Sequence, residues 1–161
     1  ADAAIKLDDK NPEGYYYKGM ALHYSNGKEQ DSLKNFNEAL ALDPENPIYL
    51  KGKSATHLLL FTNYDLPIKF AEKHRDKGAD CLTKALAIIE QKENPDYIDL
   101  LTAGEISATI NKNLDAKRFF INAANFYESS EEELDKNLYK DIVKGQKACA
   151  KLIGKIIDPA M

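Results

Sequence analysis

The chain has 161 residues, 43% of them hydrophobic and 30% charged, a balance ordinary for a soluble globular protein with room for a substantial core. A formal net charge of −4 excludes a general affinity for nucleic acid or for an anionic membrane surface. The longest uncharged run, Ser54 to Tyr64, is too short to cross a bilayer, and Cys81 and Cys149 make neither a disulfide framework nor a zinc site and read as small buried hydrophobes.

Residues 1–8 read as the last two turns of a helix, with Ala4 and Leu7 placed as Ala39 and Leu42 are placed later. The natural protein is therefore expected to extend upstream, where any signal or anchor would lie, and the compartment is left open. Asn-Pro stands at 11–12, 46–47 and 94–95. Asn accepts a first-turn N–H, and Pro at the next position is pre-set to helical φ with no N–H to orphan, so each pair predicts a helix start.

The first helix is predicted over 12–26, with Tyr15, Gly19 and Leu22 on its packing face and Tyr16, Met20, His23 and Tyr24 on the opposite side. A turn at Gly27 leads to an antiparallel mate over 29–42, with Leu33, Phe36, Ala39 and Leu40 spaced for a buried stripe. The next helix, about 47–62, grows apolar toward its end at Ala55, Leu58, Leu59, Leu60 and Phe61. Pro67 breaks the chain and restarts it as a long helix over 67–92. Within it the polar run Glu72 to Gly78 is expected to overhang into water, with Gly78 marking a bend.

Helix 96–110, a turn at Asn111 to Asn113 and a mate over 114–128 follow, the mate carrying Ala116, Phe119, Phe120, Ala123 and Ala124. Ser129 with Glu132 and Ser130 with Glu133 form overlapping capping boxes for a last helix over 131–157, stopped by Asp158-Pro159. No segment alternates as a strand does, so the fold class is all-α.

The prolines at 12 and 47 stand 35 residues apart, and those at 47 and 95 stand 48 apart. The first interval is close to the roughly 34-residue tetratricopeptide period, and the second is that period with an insertion. Inside the first unit, Tyr15, Gly19, Gly27, Ser32, Phe36, Ala39 and Pro44 fill the aromatic, small, turn and closing positions in order, with one extra residue in the turn. The run Ala39-Leu-Ala-Leu-Asp-Pro-Glu-Asn-Pro47 is the most specific part. The chain thus resembles the tetratricopeptide repeat family. The resemblance implies antiparallel helix–turn–helix repeats stacked as a right-handed superhelix: a single domain with the end of a preceding repeat (1–10), repeats at 11–45, 46–93 and 94–128, and a capping helix at 129–158.

No catalytic constellation stands out. His23, His57 and His74 lie in different helices, and His74 with Asp76, Asp80 and Cys81 is the nearest approach to a metal cluster. His74 and Asp76 point to different faces of a helix, so this reads as a solvated charged surface. No phosphate-cradling glycine loop or dinucleotide fingerprint is present, and neither enzyme activity, cofactor nor metal is expected.

The resemblance implies instead a protein or peptide partner held in a concave groove lined by the first helix of each pair. The groove residues would be Tyr16, Met20, His23 and Tyr24, then Lys51, Ala55 and Leu59, then Asp99 and Ala103. The family's carboxylate clamp is not matched, because Leu22 stands where Asn is needed after Lys18 and no Lys or Arg lies between Asp96 and Ile110. The alternative is a self-associating structural module that forms a homo-oligomer through apolar repeat ends such as Leu58 to Phe61.

Overall fold

The structure, a computed structural model, describes residues 10–63, 65–129, 140, 143–145 and 147–148. These residues form six full helices and no strand: α1 Pro12–His23, α2 Glu29–Leu42, α3 Pro47–Phe61, α4 Ile68–Glu90, α5 Tyr97–Thr109 and α6 Asn113–Ser129. The fold is all-α. The expected helical end at 1–8, Cys149 and most of the capping helix at 131–157 lie outside the described residues; the six of its positions that are described, 140, 143–145 and 147–148, are helical. The chain divides into two compact units, Ala1–Ile88 and Ile89–Met161.

The helix starts follow the caps, with one exception. Asn11 Oδ1 accepts the Glu13 N–H at 2.9 Å, and Asn46 Oδ1 accepts those of Ile48 and Tyr49 at 3.1 and 3.3 Å. Asn94 does not cap α5. Asp96 takes that place in a reciprocal box, its carboxylate accepting the Asp99 N–H at 2.8 Å while Asp99 accepts the Asp96 N–H at 3.2 Å. Two orphan amides are met at once there, so the start slides two residues past the Asn-Pro pair. Gly27, at φ +73°, makes the α1–α2 turn in the left-handed region that glycine enters without a Cβ penalty, and Asn111, at φ 62°, does the same between α5 and α6.

In the first unit, Phe36 of α2 is fully buried, its ring set against two glycines. A Cβ on Gly19 of α1 would lie 3.1 Å from that ring, and one on Gly52 of α3 would lie 2.7 Å from it. Small residues let three backbones close around one aromatic side chain. Ser32 ties the α1–α2 crossing by donating its hydroxyl to the Gly19 carbonyl at 2.8 Å. Ala39, three residues beyond Phe36, has no exposed surface.

The α3–α4 hairpin repeats this plan with other residues. Ser54 and Gly78 meet at the crossing, the Ser54 hydroxyl donating to the Gly78 carbonyl at 2.8 Å, and Leu82 and Ala85 follow at the spacing of Phe36 and Ala39. Gly78 is buried, and a Cβ there would come within 3.1 Å of Leu58. The expected bend is thereby corrected, whereas Glu72, Lys73, Arg75, Asp76 and Lys77 of the polar run are exposed, as expected. α4 is one continuous helix, and Gly78 is a point of close approach to α3.

In the second unit, Ala116, Phe120 and Ala123 of α6 keep the same spacing and are all buried. Phe120 fills the role of Phe36: Cβ atoms built on Gly104 and Gly145 would come within 2.7 and 2.6 Å of its ring. One packing device therefore recurs in three hairpins.

Candidate functional site

The α1–α3 seam gathers most of the expected groove residues of the first unit. The Tyr16 ring stacks on Tyr49 with centroids 5.0 Å apart and leans on Phe36 at 6.0 Å. Tyr16, expected on the groove side, is therefore half-buried and belongs to the packing of the seam, while Tyr15, expected on the packing face, is half-buried too. Burial raises its phenol pKa, reinforced by Tyr17 and Tyr24. One turn and more along, His23 Nδ1 meets Thr56 Oγ1 at 3.0 Å, and Thr56 in turn meets Ser32 Oγ at 3.1 Å. This polar chain fixes α1 against α3 in register.

On the solvent side of that seam runs a strip. Met20 is half-exposed and Tyr24, at 78% exposure, stands clear of the helix with its ring edge-on to His23. Lys51, Ala55 and Leu59 succeed one another at four-residue spacing along one face of α3, and Ala55 and Leu59 are exposed. Tyr16 stands beside Gly52 and His23 bonds to Thr56, each the neighbour in sequence of a strip residue on α3, so the two helix faces adjoin.

Asp99 and Ala103, the remaining expected groove residues, belong to the second unit and are buried, at 7% and 0% exposure. Asp99 is fully employed: besides its place in the cap box it receives Lys92 Nζ on both oxygens, at 2.6 and 2.8 Å. Neither residue offers surface to a ligand.

The opposite face of α3 holds a feature that the sequence reading missed. Positions 53 and 57 lie two residues past 51 and 55, about 200° around the helix. Lys53 and His57 there line a cleft of about 570 Å³ between α2, α3 and α4, with Lys34 from α2 and His74, Lys77 and Cys81 from α4. His57 Nδ1 and His74 Nδ1 are 2.9 Å apart, which makes a hydrogen bond in which one ring donates and the other accepts.

The pKa of His57 is pushed down to about 4, first by burial and then by His74, Lys53 and Lys77. That of His74 is lowered by burial, Lys77 and Lys73. Both rings are neutral near pH 7. The half-buried Cys81 thiol is raised by burial, with Asp80 adding and Lys53 and Lys84 opposing. It is therefore a protonated, weakly nucleophilic thiol.

The signal for the histidine pair was available. Once Gly78 is set opposite Ser54, antiparallel helices bring position 57 to position 74, one turn away on each. Reading Gly78 as a bend hid it. Among the described residues no three His, Cys, Asp or Glu side chains gather as a metal site would require, and none of the helices is long and apolar enough to cross a membrane. No protein-family model matches the chain, and a search of curated proteins finds no match.

Proposed function

We propose that this chain is a tetratricopeptide-like interaction scaffold, non-catalytic, that holds an extended segment of a protein partner along the α1–α3 strip. The observation that carries this reading is the exposure of Tyr24, Ala55 and Leu59 beside half-exposed Met20 on first helices that pack directly against each other. A protruding Tyr, a flexible Met, a small Ala and a Leu offer aromatic anchoring and adaptable apolar contact, with Lys51 and His23 as polar edges. The recurrence of one crossing design in three hairpins, and the period between the first two Asn-Pro caps, support the repeat assignment.

The test is selection of peptides from a random display library on the 161-residue chain, followed by binding to Tyr24→Glu and Ala55→Arg. Both positions are exposed, so both variants keep the wild-type circular dichroism. Loss of the selected peptides in both variants is the expected result. Equal binding by wild type and variants would remove the strip from consideration.

A second reading, self-association, is favoured by the apolar end of the α3–α4 hairpin. Phe61 is 38% exposed, Ile68 79% and Phe70 60%. These residues flank one connection, and exposed large apolar side chains gathered within ten residues of sequence are of the kind that marks an interaction surface. Light scattering decides it: a concentration-dependent mass that Phe70→Glu abolishes supports a homo-oligomer, and a constant monomer mass sinks it.

A further inference from the structure

The cleft behind α3 is cationic. Lys34, Lys53 and Lys77 reach it from three different helices, and Asp80 is its one acidic lining residue. Among the described residues, no carboxylate comes within ion-pair distance of any of these lysines, although surface carboxylates elsewhere pair with Lys28, Arg75 and Arg118. Like charges gathered around a low-dielectric floor repel one another unless an anion sits among them. The floor is the histidine pair, with His57 only 4% exposed yet lining the cleft.

We propose that this cleft binds a small phosphorylated anion and takes up a proton on the histidine pair as it does so. In the neutral pair, one ring donates Nδ1–H to the other's Nδ1. The donor ring then has a bare Nε2, and the acceptor ring carries its hydrogen on Nε2. A proton taken from solvent onto the bare Nε2 leaves the Nδ1–H···Nδ1 bond intact, now charge-assisted, and makes both Nε2 atoms donors. The pair passes from one donor and one acceptor to two donors and gains one positive charge.

Lys53 from α3 and Lys77 from α4 oppose a proton on His57, and Lys77 and Lys73 oppose one on His74; Lys34 from α2 lines the same cleft, with Asp80 as its carboxylate and a Cys81 thiol that stays neutral. A phosphate dianion among them offsets the lysines and removes the opposition. A phosphate also has enough acceptor oxygens to meet ammonium and imidazole donors arriving from three directions. The cleft's 570 Å³ lies within the range of small-molecule sites and exceeds one phosphate, leaving room for an organic or second phosphoryl part against Leu33, Gln30 and Asn37. The site is on the other side of α3 from the peptide strip and does not depend on it.

The experiment follows the imidazole ring resonances of the 161-residue chain by NMR from pH 4 to pH 8, with and without inorganic pyrophosphate at low salt. His57 and His74 are expected to titrate at least about one pH unit higher with pyrophosphate, which by linkage makes binding about tenfold tighter at the acid end. His23, bonded to Thr56 at the other seam, serves as the unmoved control. Lys53→Ala/Lys77→Ala is expected to weaken binding at least about tenfold with an unchanged circular dichroism spectrum. His74→Gln, at the more accessible ring, is expected to keep binding at pH 8 and lose its acid enhancement.

Inorganic phosphate and adenosine monophosphate are run beside pyrophosphate. Tighter binding of the nucleotide supports a phosphate carried on an organic body, and tighter binding of pyrophosphate supports a free oligophosphate. Unmoved histidine resonances at saturating pyrophosphate, or equal binding by the double lysine variant, would overturn the proposal. Ala55→Arg leaves pyrophosphate binding unchanged, so failure here and failure of the peptide-strip reading are separable.

Discussion

The first and second hairpins of the first unit use the same crossing for different ends. In α1–α2 the mate begins one turn before the crossing at Ser32, and everything around Phe36 closes. In α3–α4 the mate begins ten residues before its crossing at Gly78, with a Leu in the aromatic's place. Those added turns of α4 carry His74 to His57 and bring Lys77 to the cleft. The difference teaches where sequence freedom lies in such a pair. The crossing is dictated by backbone approach, whereas the length of mate before it is free to grow into a wall.

The largest effect is expected where the crossing is least forgiving. Phe36→Ala removes a ring with no exposed surface held against two glycines, and should cost about 3–5 kcal/mol in urea unfolding. Phe120→Ala in the second unit should cost a similar amount. Gly52→Ala tests the same contact from the other side. Its Cβ would enter to 2.7 Å of the Phe36 ring, and the ring has nowhere to retreat, so a loss of about 1–3 kcal/mol is expected. If Gly52→Ala were neutral while Phe36→Ala was costly, the ring would be mobile in its slot and the close-approach argument would fail.

Much of this was legible. The Asn-Pro caps, the turn glycine and the stripe at 33, 36 and 39 are local signals, and local signals survive in a single sequence. The helix limits of α2 follow from them. What was not legible depends on how one helix lies on another. Gly78 has the same local signature whether it bends a helix or admits a neighbour, and only Ser54 opposite decides it. Tyr15 and Tyr16 are adjacent and identical, and no local signal distinguishes which one packs on Tyr49. Asp99 resembled a surface acid, because its partners Lys92 and the Asp96 amide are set by the cap geometry. The cleft is tertiary throughout: its lining comes from three helices, and no spacing within any one of them announces it.

The histidine pair distinguishes the second hairpin from the first by its response to acid. His57 has a lowered pKa, so the unfolded chain binds the proton first as pH falls. The stability linked to this group is complete above pH 6.5 and drains away as pH falls toward about 4. The displacement bounds the loss at about 3 kcal/mol, and water in the cleft screens it to less. Thermal unfolding across that window should show the decline in the wild type and a shallower one in His74→Gln. A curve equally steep in both would take the pairing with His74 out of the acid sensitivity and leave it to the burial of His57 or to other groups.

The smallest effects compare the caps. Asn46 receives two first-turn amides at α3 and also donates from its side-chain nitrogen to Asp43 at 2.9 Å, whereas Asn94 stands two residues before the cap that α5 uses. Two Asn-Pro pairs identical in sequence should therefore respond differently to the same change. Asn46→Ala is expected to cost about 1 kcal/mol, and Asn94→Ala close to nothing. Asp96→Ala should recover the cost at α5, since it removes the acceptor for the Asp99 amide and one side of a reciprocal box. Chemical denaturation of the three variants, read at constant m-value, orders them. Equal losses for Asn46→Ala and Asn94→Ala would mean that α5 starts where the sequence first suggested, and that the Asp96 box is secondary.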